Sequence, residues 1–295
     1  MSDLCLLTVH AHPDDEASKG AGSVARYHAE GAHTVLVTCT GGEAGDILNP
    51  AMDRPGVRER LHEVRRAELD AAATIIGYDE VVLLGYRDSG MPDTPENADS
   101  RSFARAPLDE AVGRLVAVIR RTRPQVMVTY PEDQSGYPHP DHIRSHEVAT
   151  AAFSAAADPH LYPDAGPAWE PKKLYWVTWS ARRIQRTHEA YVNLGLESPF
   201  DDERLARVAA ALAEATATTV VDISGYTAVQ ADALRAHATQ VDPTSRHWFG
   251  LPPGVAETVW PYDEYLLAED RTGRVAPGPG GEDDLFAGVR ELVRR

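Results

Sequence analysis

The 295-residue chain has only two cysteines, Cys5 and Cys39. Two thiols are too few for a disulfide framework, and they lack the spacing of a cysteine metal site. Both sit in apolar, strand-like runs, so the expectation is buried, reduced thiols without a chemical role. Positive charge is scarce as well: 29 Lys and Arg against 45 Asp and Glu leave a net charge of −16. That balance argues against nucleic-acid binding, which needs clustered basic residues, and against an anionic membrane surface. No stretch approaches the ~20 apolar residues of a membrane span. Met1-Ser2-Asp3 lacks the basic and apolar regions of a secretory signal. A cytoplasmic protein acting on a small molecule is expected, with no nucleic-acid or membrane partner. The oligomeric state is not legible.

What is present is an α/β pattern. A hydrophobic fraction of 43% with 25% charged residues is ordinary for a globular chain. Short apolar runs alternate with longer helical stretches, as in repeated βαβ units. Strands are predicted at 4–9, 34–39, 81–84 and 126–129, and helices at 20–30, 57–76, 108–121 and 143–157. Beyond Pro171 the alternation loosens, with strands expected at 174–179 and 218–223 and helices at 202–215 and 226–240. Residues 273–284, rich in Gly and Pro, are expected to be partly mobile. The fold class is therefore a Rossmann-like, mostly parallel sheet with helices on both faces. Residues 1–170 form the core, and 171–295 a smaller α/β portion that closes the active site, the two making one integrated domain. Three long connections, 40–56, 85–107 and 130–141, all follow strands. They therefore lie at the carboxyl edge, where open α/β sheets bind ligands.

Chemistry concentrates in two clusters. His12-Pro13-Asp14-Asp15-Glu16 follows the first strand, and His139-Pro140-Asp141-His142 follows the fourth. Imidazole with carboxylate suits a borderline divalent metal, zinc first and Fe(II) second. In both clusters, residues three apart face one side of a turn. Two loops at one sheet edge can thus converge on one ion. Cysteine is absent and carboxylates remain after three ligands are chosen, which favours an open catalytic site over a closed structural one. The bland alternative is helix caps and proline turns. It suits one His-Pro-Asp better than two such clusters after parallel strands. His10 is expected in the core, His146 on an exposed helix face, and Glu16 as a cap or as support for His12.

With those residues in view, the chain resembles the LmbE-like (PIG-L) family of zinc-dependent N-deacetylases and amidases. The likeness continues through Thr38-Cys39-Thr40-Gly41-Gly42-Glu43, Arg87-Asp88-Ser89-Gly90-Met91 and Ala233–Gln240. It implies His12, Asp15 and His142 as zinc ligands and Asp14 as the general base toward the attacking water. It also implies that His139 faces the oxyanion and the leaving amine, with Asp141 orienting its ring. Tyr137 adds an O–H donor, and one such donor is typically worth ~3 kcal/mol. Arg65 and Asp88 would contact the sugar, although Arg65 could equally be a surface charge among Arg58, Arg60 and Arg66. Asp46 stands where the family pattern has Glu, one methylene shorter.

The implied substrate is a small pseudodisaccharide thiol conjugate. The implied reaction is hydrolysis of the amide between glucosamine and the cysteinyl group of mycothiol S-conjugates. Products would be glucosaminyl-inositol and an N-acetylcysteine conjugate, in detoxification or in natural-product biosynthesis. Lys19 favours this reading, because the family's amidases resemble the chain there and its deacetylases differ. The alternative is deacetylation of N-acetylglucosaminyl-inositol or another N-acyl amino sugar. A binding module without catalysis ranks lowest, since ligand and base residues are all retained.

Overall fold

The structure, a computed structural model, describes residues 4–134, 137–212, 217–275 and 281–293. The strands are β1 Cys5–His10, β2 His33–Thr40, β3 Glu80–Tyr86, β4 Val126–Thr129, β5 Lys173–Thr178, β6 Thr219–Asp222 and β7 Tyr262–Asp270. They form one sheet in the order β3-β2-β1-β4-β5-β7-β6. The first five run parallel, whereas β7 lies antiparallel between β5 and β6. Because β5 pairs with β4, residues 171–295 continue the sheet of residues 1–170.

Side-chain alternation explains why both faces are covered. Cys5, Leu7 and Val9 of β1 point into one core with α5 (Leu108–Thr122) and α6 (Pro140–Ala155). Leu6 points into the other, with α2 (Ala21–Ala29), α3 (Leu61–Ile76) and α9 (Thr227–Ala236). All six β1 residues are buried, as a parallel strand sandwiched between helical layers requires. Cys5 and Cys39 are buried free thiols, each pushed up to about 12 by burial. The remaining helices are α1 Asp15–Ser18, α4 Pro95–Ala98, α7 Ala181–Asn193, α8 Asp202–Leu212, α10 Arg246–Phe249, α11 Pro253–Val259 and α12 Val289–Val293. No helix among the described residues is long and apolar enough to cross a membrane.

Several expectations are corrected. The helix expected from Val57 begins at Leu61 after a 3₁₀ turn at Arg58–Arg60. Gly77, at φ 94°, ends it in the left-handed region that favours glycine. The helix expected to reach Gln240 stops at Ala236, because His237 leaves helical geometry and turns its ring into the core. The helix expected over 202–215 is described to Leu212, and 213–215 lie outside the described residues. β7 and α7 are additional to the predicted elements. Within the segment expected to be mobile, 276–280 lie outside the described residues, but Glu282 is buried and bridges to Thr219.

Chain order fixes where the site falls. Connections from β1 run outward through β2 and β3, then the chain returns to β4 on the opposite side of β1. Diverging connections at the β1/β4 boundary leave a crevice at the carboxyl edge, the topological switch point of such sheets. The two His–Asp clusters follow β1 and β4.

Candidate metal centre

His12 stands just past β1, and Asp15 opens α1. His142 sits in the first turn of α6, brought beside them by the β1–β4 pairing. One ligand atom from each of the three lies within 4.8 Å of the others. Asp15 Oδ2 is 3.4 Å from His12 Nδ1 and 3.4 Å from His142 Nε2. Tetrahedral ligands at zinc's usual ~2.1 Å bond length stand about 3.4 Å apart, so the donor set and spacing fit a cation of that kind. A second triad, His12, Asp88 and His139, also meets the 4.8 Å criterion and shares His12.

Surplus negative charge surrounds this point. Burial alone would lower the His12 pKa, but hydrogen bonds to Asp141 and Asp15 and the nearby Asp88 outweigh it and push it to about 10. Three carboxylates around one imidazole are balanced better by a divalent cation than by a single proton. Asp15 has a further partner in Tyr130, whose hydroxyl donates to Oδ2 at 2.7 Å and accepts from the Ala11 N–H at 2.8 Å. The Tyr130 ring also stacks on His142 at 4.4 Å.

Asp14 is not a helix cap. It occupies the cap position of α1, yet its carboxylate makes no capping bond. Its φ of 113° lies in the left-handed region, which costs a non-glycine residue roughly 1–3 kcal/mol. Two clamps hold it. The Asp14 N–H donates to Glu16 Oε2 at 2.9 Å, and Arg65 donates to Asp14 Oδ2 at 3.1 Å and to the carbonyls of Pro13 and Gly42. Burial, with repulsion from Asp15, raises the Asp14 pKa against the lowering effect of Arg65. A carboxylate so raised is a stronger base than a solvated one.

Asp141 differs from its expected role. Its carboxylate does not reach His139; it accepts from Ser89 N at 2.9 Å, from Ser89 Oγ, and from His12 Nε2 at 3.2 Å. Only its backbone N–H touches His139, donating to Nδ1 at 3.1 Å. The His139 ring is thus oriented by the start of α6 and the His12 ring by the Asp141 carboxylate. With Nδ1 accepting, the proton of neutral His139 is assigned to Nε2. Burial and the neighbouring His12 hold its pKa down to about 3.

The remaining predicted residues fall as follows. Tyr137 is about half exposed, its ring 5.9 Å from His139 and 5.4 Å from His142. Lys19 donates to Asp15 Oδ1 at 2.5 Å and to Ser18 Oγ at 3.1 Å. Arg65 is no surface charge: it is 2% exposed, on the helix face that also buries Leu61, Glu68, Leu69 and Ala72. Asp88 is buried and accepts from the N–H groups of Gly90 and Ala44, 3.7 Å from His12. Asp46 is exposed at the rim. All of these line one open cleft of about 810 Å³. His10 is fully buried, both its ring nitrogens without a partner among the described residues, and burial lowers its pKa to about 4. His146 is half-buried rather than exposed, its Nδ1 3.0 Å from the Tyr130 carbonyl oxygen. Tyr130 and Ser89 are polar supports of this site that no local sequence pattern marks. His237 Nε2 pairs with Glu16 Oε1 at 2.5 Å, so Glu16 supports Asp14 and not His12.

Fold and cluster together define a family. The chain belongs to the GlcNAc-PI de-N-acetylase (PIG-L) family, whose model matches residues 7–153, from β1 to α6. It is 43% identical to the mycothiol S-conjugate amidase of Streptomyces coelicolor, with 98% of each chain covered. It is 42% identical to the 1D-myo-inositol 2-acetamido-2-deoxy-alpha-D-glucopyranoside deacetylase of Geodermatophilus obscurus, covering 96% of this chain and 97% of that one. Overall identity therefore does not separate the two activities. Among solved structures, N,N'-diacetylchitobiose deacetylase from Pyrococcus horikoshii shares the fold, with a TM-score of 0.60 at 15% identity over 92% of this chain and 86% of that one.

Proposed function

We propose that the protein is a metal-dependent amidase that cleaves the glucosamine–cysteinyl amide of mycothiol S-conjugates. The observation that carries this reading is the convergence of His12, Asp15 and His142 within 4.8 Å beside the clamped Asp14. These three would hold the cation, with zinc favoured by the donor set and Fe(II) the alternative. Such a cation, when bound, polarises the scissile carbonyl and lowers the pKa of water.

This chain's side chains do the rest. Asp14 removes a proton from the water that attacks the amide carbon. His139 Nε2–H and the Tyr137 hydroxyl donate to the oxygen that gains charge. The C–N bond breaks as the glucosamine nitrogen takes up, from Asp14, the proton that Asp14 removed from the water, and leaves as an amine. Arg65 acts through Asp14, while Asp88 deep in the cleft and Asp46 at its rim supply carboxylates for sugar hydroxyls. Lys19, held at Asp15 on the cleft wall, sits where an acyl group larger than acetyl would pass.

A second reading, deacetylation of N-acetylglucosaminyl-inositol, is favoured by the 42% identity to the Geodermatophilus deacetylase. Kinetics on both substrates decide. Chelator-treated protein should lose turnover and regain it with zinc or Fe(II). The restored enzyme should cleave a bimane-labelled mycothiol conjugate with higher kcat/KM than the acetyl substrate, and the reverse preference overturns the amidase reading.

A further inference from the structure

Beside the metal-side cleft lies a smaller cavity of about 330 Å³, lined wholly by residues 179–260. Its wall is mainly aromatic and aliphatic, with Ile184 and Tyr191 of α7, Leu234 of α9, and Trp248 and Phe249 of α10. Trp179, Leu234, His247 and Trp248 line this cavity and the metal-side cleft alike. The His247 ring stacks parallel to Trp179 at 5.9 Å, and Trp248 meets its edge at 4.5 Å. Burial lowers His247 to about 4, so it is an uncharged ring at neutral pH. Two lining charges, Asp232 and Arg235, are spent on each other at 2.8 Å, and Arg183 lies over the Trp179 ring at 4.2 Å. Neither metal-type cluster of the described residues is here. Asp46, Asp88 and Gln240, whose polar groups suit a polyol, line the metal-side cleft and not this cavity.

We propose that this aromatic cavity binds the apolar substituent carried on the sulfur of the conjugate, while the metal-side cleft holds the sugar half. The proposal rests on the amidase reading. An aromatic-walled space takes up apolar groups by area and shape, without a fixed hydrogen-bond pattern.

The test fills the cavity from the half-buried Ala231 of α9, which lines it. Ala231→Phe should lower the ratio of kcat/KM for the bimane conjugate over the S-methyl conjugate at least about tenfold, mainly through KM. Ala228→Phe, at an exposed position on the same wall, repeats the test if the first variant misfolds. An unchanged ratio in a folded variant overturns the proposal. A second arm reads fluorescence anisotropy of bimane-labelled N-acetylcysteine, without turnover. Weakened binding in the variant with no conjugate cleavage by the wild type would sink the amidase reading and keep the cavity's ligand class. Cleavage of conjugates with undiminished binding in the variant would do the opposite.

Discussion

Two buried ion pairs stand at opposite edges of the sheet, and they differ in how completely they are closed. At the start of β5, Lys173 donates to Glu282 at 2.5 Å, and Glu282 also accepts from Tyr175 at 2.5 Å and Thr219 at 2.9 Å. The three side-chain hydrogen-bond donors come from the framework of β5 and β6, with Arg274 a further 3.9 Å ion-pair partner. At the carboxyl edge, Glu16 takes His237 on one oxygen and the strained Asp14 N–H on the other. His237 Nδ1 has no partner among the described residues. The closed network ties strand to strand, whereas the open one ties α9 to the candidate base. Buried charge of one kind thus serves stability in one place and positioning in the other.

Substitutions should separate the two. The largest effect is expected from Asp14→Ala, which should cut kcat by roughly 10³-fold while leaving metal content intact; steady-state kinetics with metal analysis checks it. Near-normal turnover would remove Asp14 as base and with it the purpose of the Glu16 clamp. Lys173→Met removes the cation hydrogen-bonded to buried Glu282, leaving Arg274 at 3.9 Å, and should cost about 3 kcal/mol of stability. Denaturant unfolding measures that loss, and kcat of the folded fraction should not move. His237→Leu should behave in the opposite sense, lowering kcat by about 10–100-fold with KM nearly constant, the scale of lost outer-shell support. His237→Gln, whose amide can still donate to Glu16, should recover most of the rate. Equal kinetic losses in Leu and Gln variants would make His237 merely structural.

The smallest effect is the pH dependence of the second pair. Burial alone would lower the His237 pKa, but Glu16 outweighs it and raises it. A raised folded-state pKa means full stabilisation below the unfolded value of about 6.5, lost as pH climbs through the raised value. The stability gap between wild type and His237→Gln should therefore shrink from pH 6 to pH 9 in unfolding experiments. A tenfold gain in proton affinity on folding corresponds to about 1.4 kcal/mol.

Much of the fold was legible because parallel strands buried on both faces read as uninterrupted apolar runs, as Leu4–Val9 and Val126–Thr129 do. β7 was not: its Glu264, Glu269 and Asp270 interrupt the apolar signal, and its antiparallel pairing is a property of the assembled sheet. The metal-type cluster was legible because His12 and Asp15, or His139 and His142, lie within one turn. Arg65 carried a readable sign that it was internal, since Leu61, Leu69 and Ala72 share its helix face. Ser89 stands inside the Arg87–Met91 motif, and nothing local links it to a carboxylate 52 residues away.

The strand–helix alternation, the two imidazole–carboxylate clusters and the family are all encoded over a few neighbouring residues. Folding in three dimensions is what brings the Asp141 carboxylate to His12 and not to the His139 ring, Tyr130 to Asp15 across 115 residues, and His237 to Glu16 across 221. Hydrogen bonds act over about 3 Å of space whatever the chain separation. Which distant donors arrive is set by sheet order and helix packing, and no local pattern records that.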